Sequence, residues 1–162
     1  MPSGAPLDPA RKILDRAAAL RWRQAQPGAL VFTNGVFDVL HRGHVAYLAR
    51  ARAAGAALLV GVNTDASARR LGKGPARPVN GERDRAFVLA GLESVDAVVL
   101  FDEDTPLALI TALAPDVLCK GADYALEAIV GADVVTARGG RVVRIPLEAG
   151  YSTTELLNKV RS

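Results

Sequence analysis

Two histidines and a glycine form the part of this chain best suited to chemistry. His41 and His44 are its only histidines, and Gly43 lies between them. An apolar run at 29–32 precedes them, and a helical pattern follows. A loop that leads from a strand into a helix N-terminus suits phosphate, because it offers unpaired N–H groups and the positive end of the helix dipole. Two imidazoles would add donors to phosphoryl oxygens; the alternative is an ordinary loop with two solvated histidines.

Alternating strand and helix patterns surround this loop. Strands are predicted from five short apolar runs, several of them apolar at every position, as in strands covered on both faces: 30–33, 57–62, 97–101, 117–119 and 141–145. Helices are predicted from apolar spacing and stop signals at 8–24, 44–54, 81–92, 105–114, 129–138 and 152–160. The alternation predicts an α/β, Rossmann-like fold: an open parallel five-stranded sheet with helices on both faces.

Composition limits the classes of protein that fit. The length of 162 residues predicts one domain over 1–162, with an N-terminal helical segment at 1–28 and a core at 29–162. Cys119 is the only cysteine, so neither an intrachain disulfide nor a Cys/His zinc site can form. The net charge of +3 comes without a basic stripe, which argues against nucleic acid. No apolar run reaches membrane-spanning length and no secretory signal is evident, so we expect a cytoplasmic protein without membrane contact.

A second group of polar residues follows the fourth predicted strand. Lys120, Gly121 and Asp123 would lie near the histidine loop if the strand order reverses there, because open α/β sheets bind ligands at such switch points. Gly121 would permit close approach of a ligand to the backbone. The alternative for Lys120 is an exposed lysine at a strand end.

Two further segments are candidates for ligand contact. Residues 72–79 contain two glycines, two prolines and two cations, which predicts a mobile, positively charged loop able to close over a substrate; the alternative is a surface connection. Ser152 and Glu155 form a capping-box pattern at the start of the last helix. Hydroxyls and free N–H groups at that helix start also suit phosphate or ribose.

The motifs together resemble the nucleotidyltransferase superfamily, whose signature is His-x-Gly-His after the first strand and Ser-Thr-Thr near the last helix. The resemblance extends to the ADP-heptose synthase (heptose 1-phosphate adenylyltransferase) family over residues 29–160. Its further motifs are Phe-Thr-Asn-Gly-Val-Phe-Asp at 32–38, Val-Asn-Thr-Asp at 62–65, Arg-Pro-Val-Asn at 77–80, Asp-Glu-Asp-Thr-Pro at 102–106 and Lys-Gly-Ala-Asp-Tyr at 120–124.

The resemblance implies that AMP passes from ATP, with Mg²⁺, to D-glycero-β-D-manno-heptose 1-phosphate, giving ADP-heptose and pyrophosphate for lipopolysaccharide or surface glycan synthesis. Relatives often carry a sugar kinase in front of this domain, so we expect a separate kinase to supply the sugar 1-phosphate. A homodimer is expected for a small cytoplasmic enzyme. Alternatives are a cytidylyltransferase acting on another phosphorylated alcohol, a nucleotide-binding module without chemistry, and a structural protein.

Two departures from related sequences matter. The family often has cysteine where this chain has Val36. Similar glycerol-phosphate cytidylyltransferases carry an arginine shortly before Ser-Thr-Thr, and residues 146–151 contain none. The second departure counts against a cytidylyltransferase.

The resemblance also implies roles for individual residues, none of them a metal ligand. The catalytic residues would be His41, His44 and Lys73. The nucleotide would contact Thr33, Asn34, Gly35, Phe37, Gly43, Lys120, Gly121, Ser152, Thr153 and Thr154. The sugar phosphate would contact Asp38, Arg77, Arg85 and Asp123. Asp38 could alternatively support neighbouring residues that contact the ligand.

Overall fold

The computed structural model describes residues 7–162, which fold around one six-stranded sheet. The strands are β1 (Ile13–Leu14), β2 (Leu30–Gly35), β3 (Ala57–Asn63), β4 (Ala97–Phe101), β5 (Val117–Gly121) and β6 (Arg141–Ile145). All neighbouring strands pair in parallel, in the order β1-β4-β3-β2-β5-β6. The predicted α/β architecture is therefore confirmed, with one strand more than expected.

Seven α-helices connect the strands within the described residues. They are α1 (Arg16–Gln24), α2 (Arg42–Arg52), α3 (Asp65–Arg70), α4 (Glu82–Ala90), α5 (Leu107–Leu113), α6 (Ala132–Ala137) and α7 (Thr153–Arg161), with short 3₁₀ turns at Pro9–Lys12 and Leu126–Ala128. In the same part of the chain, no helix has both the length and the apolar character needed to cross a bilayer.

The helices cover both faces of the sheet, and strand alternation divides the core between them. In β2, Val31 packs with Leu48 of α2 and Leu89 of α4 on one face. Its neighbour Phe32 packs with Leu109 of α5 on the other face. Burial on both faces explains why β2 and β3 are apolar along most of their length.

The additional strand, β1, lies inside the segment 8–24, which was predicted to be one helix. Asp15 ends that regularity, because its carboxylate accepts the Ala18 backbone N–H at 2.7 Å and caps α1. Ile13 and Leu14, just before this cap, pair with Val98 and Val99 of β4. An aspartate within a helical pattern was the available sign of a helix start. Residues 1–6 of the predicted N-terminal segment 1–28 lie outside the described residues.

The remaining differences are small. Helix α3 was not predicted; Thr64 caps it by accepting the Ser67 backbone N–H at 3.1 Å. Residues 72–79 contain neither helix nor strand, in agreement with the predicted irregular loop.

The switch point of the sheet lies between β2 and β5. From β2 the chain proceeds to β3 and β4 on one side and returns to β5 and β6 on the other. The loops after β2 and β5 therefore diverge from adjacent strand ends, which leaves a crevice between them. This arrangement confirms the strand-order reversal on which the predicted meeting of the two loops depended.

Candidate active site

A cleft of about 590 Å³ opens at this switch point. It is bounded by the loops after β2 and β5, by the irregular segment 72–79 and by the start of α7. The structure brings fifteen of the seventeen predicted site residues to its wall: Asn34, Gly35, Phe37, Asp38, His41, Gly43, His44, Lys73, Arg77, Lys120, Gly121, Asp123, Ser152, Thr153 and Thr154. Their individual roles stay predictions.

The two imidazoles cap the N-terminus of α2. The Nδ1 atom of His41 accepts the Gly43 backbone N–H at 3.1 Å, and the Nδ1 atom of His44 accepts the His41 backbone N–H at 3.3 Å. The rings stack with centroids 3.8 Å apart. This is the reciprocal pattern of a capping box, built from imidazoles instead of a hydroxyl and a carboxyl group. The histidines are therefore held in place by the helix that they start.

The capping bonds determine which ring nitrogen can meet a ligand. An Nδ1 atom that accepts an N–H carries no proton, so each neutral ring has its proton on Nε2. Burial lowers the pKa of His41. Burial, together with the nearby His41 and Lys73, lowers the pKa of His44 to about 4. Near pH 7 both rings are neutral and present Nε2–H donors, which suit phosphate oxygens.

The low pKa of His44 gives a pH prediction. In the free protein, we expect the ¹H–¹³C ring signal of His44 to titrate near pH 4, well below the ordinary histidine value. Between about pH 6.5 and 4 the unfolded chain binds a proton here that the folded chain refuses, so stability falls as the pH falls through this window. With only two histidines, a His44→Asn variant assigns the signal. A His44 titration at pH 6 to 7 would contradict the proposed burial of the neutral ring.

The loop before α2 is shaped closely around the two rings. A Cβ atom on Gly43 would lie 2.9 Å from the Cε1 atom of His41 and 3.0 Å from the Cβ of Tyr151, so a larger residue would disturb the cap. Phe37 meets His44 edge-on with ring centroids 5.4 Å apart. Its φ of +50° lies in the left-handed region that aromatic residues seldom adopt. The backbone is thus strained at Phe37, the residue whose ring contacts His44.

Two lysines add positive charge to the cleft. Lys73 is exposed on the irregular segment 72–79. Lys120, at the end of β5, is partly buried, and its Nζ atom lies 4.8 Å from the centre of the Tyr124 ring. Burial lowers the pKa of Lys120; the carboxylate of Asp123 opposes this shift and the charge of Lys73 adds to it. A bound anion between the lysines would relieve their mutual repulsion.

Asp38 is occupied by its own protein neighbours. Its buried carboxylate accepts the Arg77 Nε–H at 2.7 Å and the backbone N–H groups of Val79 and Asn80 at 2.8 and 3.0 Å. Burial alone raises the pKa of Asp38, but the bonds from Asn80, Val79 and Arg77 outweigh it and lower the pKa. Asp38 thus ties segment 72–79 to the loop after β2, which favours the supporting role over direct contact with a sugar hydroxyl.

Arg85 does not line the cleft. It lies in α4 with a fully buried side chain, and its guanidinium donates to the carbonyl oxygens of Val36, Asn63 and Asn80 at 2.8 to 2.9 Å. It also pairs with Asp65 at 2.8 Å. This placement corrects the expectation that Arg85 contacts the substrate: its donors are used to join the ends of three loops.

Thr33 is also removed from the cleft surface. It is fully buried, and its hydroxyl lies 2.7 Å from the Tyr47 hydroxyl and donates to the Cys119 carbonyl oxygen at 3.1 Å. This corrects the expectation of a direct contact between Thr33 and the nucleotide, since both hydrogen-bonding directions of the hydroxyl point to protein groups.

The start of α7 matches the capping prediction. Ser152 Oγ accepts the Glu155 backbone N–H at 3.0 Å. Thr153 Oγ1 donates to the Val39 carbonyl oxygen at 3.4 Å, which joins α7 to the histidine loop. The N-cap role of Ser152 is confirmed, but among the described residues the Glu155 side chain does not bond back to the Ser152 backbone N–H, so only half of the predicted capping box forms. A ligand contact by Thr153 or Thr154 stays a prediction.

All residues that line the cleft lie within the part of the chain that a protein-family model matches. A family model described as cytidylyltransferase-like matches residues 32–158, most of the chain. The chain belongs to the cytidylyltransferase-like family. His41 and His44 both lie inside the part of the chain that this family model matches.

Relatives of this cytidylyltransferase-like chain include two proteins named "Bifunctional protein HldE". That of Mesorhizobium japonicum is 56% identical over 154 residues, which cover 93% of this chain and 31% of that protein. That of Caulobacter vibrioides is 57% identical over 155 residues, covering 93% and 32% respectively. The chain spans about a third of the length of these curated relatives.

A solved structure shares the fold of this chain. The lipopolysaccharide core biosynthesis protein from Thermoplasma volcanium superposes with a TM-score of 0.62 at 28% identity. The match covers 75% of this chain and 97% of that one.

Several residues that line the cleft were not predicted as site residues from the sequence. They are Val36, Tyr47, Tyr124, Leu147, Glu148 and Tyr151. Tyr47 lies three residues after His44, so both lie on the same side of α2, and this spacing was the available signal. Residues 147–151 had no comparable signal, because they reach the cleft only through the path of the chain between β6 and α7.

Proposed function

We propose that this chain is an adenylyltransferase that transfers AMP from ATP to D-glycero-β-D-manno-heptose 1-phosphate, releasing pyrophosphate and forming ADP-heptose. The observation that carries the proposal is the pair of neutral, stacked imidazoles whose Nε2–H groups are free for phosphate at a helix N-terminus. The identity of more than half with the bifunctional HldE proteins supports the choice of a heptose substrate.

The reaction needs positioning and charge neutralisation more than acid–base catalysis. An oxygen of the sugar phosphate, already ionised, attacks the α-phosphorus in line; the new P–O bond forms as the bond to pyrophosphate breaks. His41 and His44 donate to triphosphate oxygens, and Lys73 neutralises charge that develops on the leaving group. No proton has to be removed from the attacking oxygen, so two histidines that stay neutral near pH 7 serve this step as donors.

Mg²⁺ is part of the proposal as an ion carried by ATP. Within residues 7–162, no group of three or more His, Cys, Asp or Glu side chains is placed to hold a metal. The Asp38 carboxylate already accepts three hydrogen bonds. Mg²⁺ is commonly held by substrate phosphates and water with few protein ligands, which fits a cleft rich in N–H donors. Bound in this way, the ion would neutralise phosphate charge.

The second candidate is a cytidylyltransferase acting on another phosphorylated alcohol, favoured by the description of the matching family. A pyrophosphate-release screen separates the two: ATP, CTP, GTP and UTP, each with heptose 1-phosphate, other sugar 1-phosphates and glycerol 3-phosphate. We expect the highest kcat/KM for ATP with heptose 1-phosphate. Faster release with CTP would favour the second candidate, and release with no pair would leave a nucleotide-binding module without chemistry.

Replacing Lys73 by alanine is expected to lower kcat roughly 10²-fold, the order of loss found on removing one transition-state donor. The melting temperature should stay unchanged, because the side chain is exposed. Single-turnover pyrophosphate release measures the chemical step directly. Lys159→Ala, an exposed lysine of α7 outside the cleft wall, is the control. Equal rates in the two variants, or a change in melting temperature alone, would contradict the role given to Lys73.

The proposal also includes a cytoplasmic homodimer supplied with sugar 1-phosphate by a kinase. Two-fold dimers are the commonest assemblies of small enzymes. Light scattering coupled to gel filtration tests the dimer, and coupled turnover of heptose 7-phosphate with a heptose kinase tests the supply of substrate.

A further inference from the structure

The hydroxyl group of Tyr47 belongs to a hydrogen-bond chain with a fixed direction. Thr33 Oγ1 donates to the carbonyl oxygen of Cys119, and a carbonyl oxygen can only accept. Tyr47 Oη lies 2.7 Å from the same Thr33 Oγ1. Since Thr33 has a single hydroxyl proton and uses it on Cys119, Tyr47 donates its own proton to Thr33.

This direction leaves Tyr47 with only lone pairs to offer. Its side chain lines the cleft, and within residues 7–162 its hydroxyl forms no hydrogen bond other than that to Thr33. Burial raises the pKa of Tyr47, the Thr33 bond opposes this shift, and Asp123 adds to it. The phenol therefore stays neutral and faces the cleft as a hydrogen-bond acceptor alone.

A hydrogen-bond acceptor at Tyr47 favours a ligand group that carries a proton to donate. The nearby Asp123 is also an acceptor when ionised, and its carboxylate is exposed at the cleft without a hydrogen bond in the described part of the chain. A phosphate group offers acceptors near neutral pH and would be disfavoured beside both. A sugar hydroxyl carries a proton to donate and would be favoured. The cleft thus combines donors for phosphate, on His41 and His44, with acceptors for hydroxyl groups.

We propose that Tyr47 is a specificity-determining residue that accepts a hydrogen bond from a sugar hydroxyl of the bound substrate. Thr33 acts as a positioning residue, because it takes the Tyr47 proton away from the cleft. The inference rests on the proposed function, which supplies two ligands with such hydroxyls: the heptose of the sugar phosphate and the ribose of ATP.

Binding measurements with Tyr47→Phe test this inference and separate the two sources. The change removes one oxygen and keeps the ring. Calorimetric Kd values for ATP and for heptose 1-phosphate are compared with those of the unmodified chain. We expect one of the two ligands to bind about 3- to 10-fold more weakly, the effect of losing one neutral hydrogen bond. A loss confined to heptose 1-phosphate identifies the sugar, and a loss confined to ATP identifies the ribose.

Substitutions of Thr33 test the direction of the hydrogen-bond chain from Tyr47 through Thr33 to Cys119. Thr33→Val frees the Tyr47 proton, so Tyr47 is no longer an acceptor alone. We expect it to weaken the same ligand, by no more than Tyr47→Phe does, and to add nothing in the double variant. Thr33→Ser, which keeps the hydroxyl, should restore the binding lost in Thr33→Val. A merely structural role would weaken both ligands together and give additive losses in the double variant.

The outcomes distinguish this inference from the proposed function. Unchanged Kd values in Tyr47→Phe, additive losses in the double variant, or no binding of either ligand would overturn the role of Tyr47. Pyrophosphate release by the unmodified chain is measured separately. Turnover with unchanged Kd values refutes the inference alone, whereas a selective loss of binding without turnover refutes the proposed reaction and supports the inference.

Discussion

A His44→Ala variant is expected to lower kcat by roughly 10²–10³-fold, the loss typical of one transition-state donor. In the proposed reaction, charge builds on oxygens of the triphosphate as the bond to pyrophosphate breaks. The Nε2–H group of His44 is already oriented toward the cleft, because its Nδ1 atom is bound to the His41 backbone N–H. Steady-state pyrophosphate release with ATP and heptose 1-phosphate measures the loss.

Two matched variants separate the donor from the helix cap. Asparagine can place its amide oxygen where Nδ1 of His44 lies, so His44→Asn keeps the bond to the His41 N–H and loses the donor. Glutamine can place its amide nitrogen near the position of Nε2, so His44→Gln keeps a donor and loses the cap. We expect His44→Asn to be as slow as His44→Ala with a higher melting temperature, and His44→Gln to be faster than both. An asparagine variant with unchanged kcat would remove His44 from the chemistry.

The histidine site was predictable because its information is local. A strand, a glycine and two histidines lie within 15 residues, and the geometry of a helix N-terminus follows from the chain direction alone. The position of Lys120 and Asp123 needed one further fact, the reversal of strand order at β5. The structure supplies it through the pairing of β2 with both β3 and β5.

Other features were not predictable because they depend on distant partners. Strand β1 exists because β4 offers an open edge to Ile13 and Leu14, and two residues carry no strand pattern of their own. Thr33 and Tyr47 carry no distinctive sequence pattern. Their hydrogen-bond chain depends on β5, which brings the Cys119 carbonyl oxygen beside Thr33. In both cases the deciding contact joins residues that are dozens of positions apart.

Arg85 shows how a charge pattern can mislead. An arginine among acidic neighbours in a helix is usually solvated, and in a phosphate-binding protein it is a natural candidate for ligand contact. Here α4 turns it inward, where the carbonyl oxygens of Val36, Asn63 and Asn80 meet. No pattern in the sequence of α4 reports where those three carbonyl groups lie.

An Arg85→Met variant is expected to unfold more easily by about 3–5 kcal/mol, because truncating a buried, fully bonded charge leaves its partners unsatisfied. Methionine fills much of the volume but cannot donate, so three carbonyl oxygens and the Asp65 carboxylate lose a partner. Urea denaturation monitored by circular dichroism gives the free energy of unfolding. Lysine is not expected to restore it, because one ammonium cannot reach the positions that the planar guanidinium joins.

Arg83→Met is the matched control for this change. Arg83 lies in the same helix and is exposed, and its side chain forms no hydrogen bond or ion pair within residues 7–162. Its loss should change the free energy of unfolding by at most about 0.5 kcal/mol. Equal destabilisation by the two variants would show that the Arg85 contacts do not carry the stability assigned to them. A large difference would mean that Arg85 holds the loop after β2 and the Asn80 backbone in place. Asn80 and Arg77 both bond to Asp38, so the position of Arg77 would depend on the same contacts.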